Sequence, residues 1–173
     1  MEKVEVLILR NLIYNEEYLR KVIPFIKADY YEDSNQRIVF EEILNFVDKY
    51  NQPSTKEVLC IEVENRQDIN DTTFSEITKL ISYLDDVPTD LDWLVDTTEK
   101  WCRDRAIYLA LMESISLADG KDKEKGRDAI PGILSDALAV SFDNHVGHDY
   151  LEDYEERYES YHRKEDKIPF DLE

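Results

Sequence analysis

The chain has 173 residues, 42% hydrophobic and 35% charged, and its 40 Asp and Glu against 21 Lys and Arg leave a formal charge of -19. That length supports one ordinary core, with room for a projecting extension, and excludes two large domains. The charge sets the chain alone against binding phosphate backbones, which are held by Lys and Arg.

With only four glycines and five prolines, and few runs of alternating polarity, the composition predicts an all-α fold. Cys60 and Cys102 stand too far apart for a CxxC motif and make no disulfide framework, so they are expected to be small core residues in a reducing cytoplasm. No apolar run approaches the roughly 18 residues of a membrane span, and MEKVEVLILRN lacks the basic region and small-residue cleavage site of a signal peptide.

Leu9, Leu12 and Ile13, then Leu19, Val22, Ile23 and Ile26, follow helical spacing with a break near Asn15, which predicts two short helices. Asp33 or Ser34 caps the next, whose buried stripe is Val39, Ile43, Phe46, Val47 and Tyr50, and which stops at Asn51-Gln52-Pro53. Ser54 and Glu57 are spaced as a capping box for a helix running to about Asn65. Another starts near Asp71, turns Phe74, Ile77, Leu80, Ile81 and Leu84 inward, and ends before Pro88. These make a compact helical bundle over residues 1–89.

Asp90 then caps an unusually long helix reaching about Ala118, against a typical mean of about 11 to 12 residues. Leu94, Trp101, Tyr108 and Ile115 recur at seven-residue spacing, and the segment from Ala106 to Met112 is apolar nearly all round. A bundle of this size covers one face, so the other calls for a partner; for Leu94 and Trp101, core packing and an intersubunit contact both remain open. Asp119 to Asp128 is a polar loop tip, and Ile130, Ile133, Leu134, Ala137 and Leu138 describe a returning helix with Pro131 in its first turn. Residues 90–140 thus read as a projecting helical hairpin suited to self-association.

Residues 141–148 read as a connector. Asp149 is then placed to cap an amphipathic linker helix over residues 149–163, on which Tyr150, Leu151, Tyr154, Tyr158 and Tyr161 share one face. That stripe can fold back on its own bundle or dock on another domain or chain, and tyrosine favours the half-wet setting of an interface. Residues 164–173 begin an extended segment.

The sequence offers no catalytic set. There is no GxxxxGK[ST] or GxGxxG loop; GKDKEKG has the wrong spacing, so no nucleotide or other cofactor is expected. His145 and His148 with Asp143 and Asp149 lack a further ligand, and helix ends account for Asp85, Asp86, Asp90 and Asp92, so no metal is expected. Cys102 beside Trp101 has no histidine nearby and reads as a buried thiol.

Asp29-Tyr-Tyr31, Arg37-Ile-Val-Phe40 with Ile43-Leu44, and the turn Tyr50-Asn-Gln-Pro-Ser-Thr55 resemble the amino-terminal domain of DnaB-like hexameric replicative helicases. SFDNHVGHDYLEDYEERYESYHRK…KIPF from Ser141 to Phe170, with Val6 to Ile13, Trp93-Leu-Val, Thr98-Glu-Lys100 and Arg105-Ala106, is similar to the replicative helicases of T4-type bacteriophages. The resemblance implies a non-catalytic oligomerisation and docking domain in the collar of a hexamer, working in the cytoplasm of an infected bacterial host. It makes Leu94, Trp101, Tyr108, Met112 and Ile115 hairpin-interface candidates, and Tyr150, Leu151, Tyr154, Tyr158 and Tyr161 a stripe for the neighbouring motor. Primase and a helicase loader are implied partners. A RecA-like motor, with ATP, magnesium and DNA contacts, is expected beyond Glu173. The rival reading, from the charge alone, is an acidic DNA mimic or adaptor that binds another protein.

Overall fold

The computed structural model describes residues 3–120 and 125–142. The chain divides into a compact unit, residues 1–142, and a stretch of residues 143–173 that lies outside the described residues, as do the expected linker helix and its candidates Tyr150, Leu151, Tyr154, Tyr158 and Tyr161. Among the described residues the fold is all-α: α1 (Val4–Tyr14), α2 (Glu16–Val22), α3 (Ser34–Tyr50), α4 (Lys56–Glu64), α5 (Asp71–Tyr83), α6 (Leu91–Ala118) and α7 (Ile130–Leu138).

Short polar side chains set the boundaries. Asn15 takes an extended conformation between α1 and α2, and its side chain accepts from the Tyr18 N–H at 3.0 Å. Asp33 accepts from two backbone N–H groups at the start of α3, Asn70 from Thr73 at α5, and Asp90 from Trp93 at α6. Asn51 closes α3 in the left-handed region, φ 52°, which asparagine tolerates better than most side chains.

Two expected signals are displaced. The cap of α4 is Thr55, whose hydroxyl accepts from Val58 N–H at 3.4 Å, not Ser54. Thr55 holds the extended conformation directly before the first helical residue, which leaves Ser54 one position too early and buried, with its hydroxyl unpartnered. Likewise α5 ends at Tyr83, well ahead of Pro88, because Leu84 leaves the helical path and buries its side chain completely.

The core joins Ile8, Leu9 and Leu12 of α1, Tyr18, Leu19 and Val22 of α2, Val39, Phe40 and Ile43 of α3, Leu59, Val63, Ile77, Ile81 and Leu84, together with Leu94 and Cys102 of α6. Burying each of the Val, Leu, Ile and Phe side chains among them contributes about 1.5–3 kcal/mol. Tyr50 and Leu138, expected on buried stripes, are exposed instead: both lie in the last turn of their helices, past the neighbours that cover the preceding turns. The first half of α6 is therefore bundle core, and the hairpin is not separate from the bundle at its base. There Phe142, after α7, stacks on Phe25 with centroids 4.7 Å apart, and Arg103 Nε donates to the Val140 carbonyl at 3.1 Å.

Candidate self-association surface

The long helix divides its residues by size. Leu94, Thr98, Cys102, Ala106, Ala110, Ser114 and Leu117 are buried, and beyond Cys102 the buried positions are mostly small, which lets α7 lie close against α6. The large side chains go the other way. Tyr108, Leu111, Met112 and Ile115 are 49%, 48%, 51% and 56% exposed and stand at i, i+3, i+4 and i+7, one continuous apolar face without a charged residue.

Of the five hairpin candidates, Tyr108, Met112 and Ile115 lie together on this face. Leu94 does not: it is fully buried and belongs to the bundle core. Trp101 lies between these extremes, half-buried against Tyr31 at 5.0 Å and edge-on to Tyr30 at 6.0 Å. Helix geometry explains the spread. A straight α-helix drifts about 20° per seven residues, so three heptads from Leu94 to Ile115 rotate a seam by about 60°. The seven-residue pattern thus begins in the core and ends in solvent. Leu111 completes the exposed face and escaped that pattern; the three-and-four spacing from Tyr108 would have found it. Trp93 in the first turn of α6 is also exposed, at 54%.

Polar groups fix α6 at both ends of the compact unit. Deep in the bundle, Tyr18 and Thr98 hydroxyls hydrogen-bond at 2.7 Å, and Thr98 donates to the Leu94 carbonyl at 2.7 Å. At the other end, Arg127 donates to the Ala118 carbonyl at 2.8 Å and Lys125 pairs with Glu113 at 2.7 Å.

Burial pushes the Cys102 thiol up to about 12, with Glu99 acting in the same direction, so the thiolate that a nucleophile needs is absent at neutral pH. Asp85 pairs with Lys56 at 3.0 Å and Asp90 is a helix cap. Among the described residues no group of three or more His, Cys, Asp or Glu is arranged to hold a metal ion. A cleft of about 580 Å³ lies between α6, α7 and the turn at Tyr30; Ala106, Leu109, Ala110, Ile133 and Ala137 form its apolar lining. No described helix is long and apolar enough to cross a membrane.

No family model matches the chain. A DnaB-like replicative helicase of Enterobacteria phage T4 is 36% identical to it over 174 residues, a match covering 96% of this chain. The chain is a relative of that DnaB-like helicase. It spans 36% of the helicase's length. The similarity therefore runs through the bundle, the α6–α7 hairpin and most of the residues beyond, and the resemblance to T4-type replicative helicases stands.

Proposed function

We propose that this chain is the amino-terminal, non-catalytic self-association and docking domain of an ATP-dependent replicative DNA helicase, forming part of a hexamer's collar during phage replication in the host cytoplasm. The observation that carries the reading is the neutral face of Tyr108, Leu111, Met112 and Ile115 on a protein of charge -19. Two such chains repel each other over most of their surfaces, and an uncharged apolar strip is where a second copy meets least repulsion and removes most apolar area from water.

The relative's name supports the wider setting, since the chain matches about a third of that helicase. In this reading ATP, magnesium and DNA engage a motor in the remainder of the protein, and Tyr150, Leu151, Tyr154, Tyr158 and Tyr161 dock on the motor of the neighbouring subunit. Primase and a helicase loader are the candidate partners of the collar. The DNA-mimic alternative draws less support, because the acids are dispersed over the helices and several serve the fold: Asp33 and Asp90 as caps, Asp85 on Lys56, and Glu41, Glu42 and Asp68 around Arg66.

Sedimentation equilibrium across a concentration series tests the reading. The chain associates reversibly, and Leu111→Glu, which places a charge in the middle of the face, makes it monomeric, with the melting temperature of wild type at dilutions where wild type is itself monomeric. A wild-type chain that stays monomeric at high concentration overturns self-association. In a motor-containing protein, hexamers that assemble normally with Tyr154→Ala and Tyr158→Ala overturn the docking role, and ATP turnover by this chain alone overturns the non-catalytic one.

A further inference from the structure

At the edge of the exposed face, Arg105 makes three contacts with different parts of the molecule. Its Nε donates to the Tyr30 carbonyl at 2.7 Å. Its Nη1 forms a charge-assisted hydrogen bond with the Glu32 carboxylate. The guanidinium carbon lies 4.8 Å from the centroid of the Tyr108 ring. The Arg105 side chain is only 13% exposed, whereas Tyr108 remains half open to solvent.

The turn that grips Arg105 is itself held. Tyr30 and Tyr31 pack on Trp101, Tyr31 also packs on Phe40 of the core at 5.2 Å, and Arg37 Nη2 donates to the Tyr31 carbonyl at 3.1 Å. The plane beneath Tyr108 is thus anchored in the bundle and not only in its own helix.

We infer that Arg105 is the positioning residue of the self-association surface, holding the Tyr108 ring as a preformed anchor for a second copy of this chain; the inference rests on the reading of the α6 face as self-associating. An aromatic ring already fixed in place loses little rotamer freedom on association. The guanidinium–ring attraction strengthens when an approaching surface excludes water. Glu32 already compensates the charge, so covering Arg105 leaves no unpaired cation behind. Lysine cannot replace it, because an ammonium on a flexible stem offers no plane to stack on and no fork to reach both Tyr30 and Glu32.

The test is a double-mutant cycle on the whole chain, with association constants from sedimentation equilibrium and thermal melts recorded to confirm folding. Arg105→Lys weakens association about three- to tenfold, Tyr108→Phe leaves it unchanged because the ring is kept, and Arg105→Lys adds nothing once Tyr108→Ala is present. Wild-type association in Arg105→Lys overturns the inference, and so does an effect of full size in the Tyr108→Ala background, which marks a role confined to the Tyr30 turn. If Leu111→Glu and Tyr108→Ala both leave the association constant unchanged, the self-association face itself is wrong, and the inference falls with it.

Discussion

From Leu91 to Cys102, α6 lies against the bundle and buries Leu94, Thr98 and Cys102; from Ala106 to Leu117 it buries small residues under α7 and turns Tyr108, Leu111, Met112 and Ile115 outward. Both halves belong to one continuous helix, the second with fewer charged residues than the first. The difference is where the large side chains go, and it assigns the halves opposite tasks. Apolar volume pointing inward stabilises the monomer, while apolar volume pointing outward is a mild liability for the monomer and an asset to an assembly.

Substitutions in the two halves should therefore change different observables. The largest effect is expected at Leu94→Ala, which opens a cavity where the side chain is fully buried: a loss of about 2–5 kcal/mol in denaturant unfolding, with association by the folded fraction unaltered. A variant that also abolished self-association in the folded state would blur the division between the halves. Next comes Met112→Glu, which buries an unpaired carboxylate if a second copy covers the face. Self-association falls about a hundredfold, while monomer stability stays within about 0.5 kcal/mol of wild type.

Thr98→Val tests the bundle half more finely. It strands the Tyr18 hydroxyl, whose phenol burial already holds far above its usual titration range, and should cost about 1–3 kcal/mol in chemical denaturation. The smallest effect is electrostatic and lies outside α6. The Arg66 guanidinium holds Asp68 below its ordinary value, at about 2. A depressed carboxylate stabilises the fold above its unfolded value and loses that contribution as pH falls through the folded one. The gap in unfolding midpoint between wild type and Asp68→Asn is thus small at pH 5 and closes near pH 2, and a gap that widens on acidification would contradict the assignment.

Much of this architecture was readable from residue spacing. Asn15, Asp33, Asn51 and Asp90 marked boundaries because capping is a local matter between a short side chain and the N–H groups that follow it, or a tolerated left-handed conformation. Where two neighbours compete, as at Ser54 and Thr55, spacing could not choose, since the winner depends on which backbone turns extended first. Burial was legible as long as a stripe faced one neighbour. It failed at Tyr50 and Leu138, where the answer depends on how far the packing partner extends, and it could not choose at Leu94, where slow rotation of a heptad around a straight helix decides. Arg105 was not singled out as a functional residue, because its partners Tyr30 and Glu32 are more than 70 positions away along the chain.

The hydroxyl pair of Tyr18 and Thr98 joins residues 80 positions apart. At typical synthesis rates about 4–16 s separate the appearance of those two side chains, and until the second arrives α2 has no partner for its buried phenol. The first helices therefore wait, with Tyr18 and its apolar neighbours incompletely covered, for the same helix that carries the assembly face. Tyr108, Leu111, Met112 and Ile115 all follow Thr98 in the chain, so the group that latches Tyr18 is made before the assembly face, and self-association follows folding of the bundle instead of competing with it.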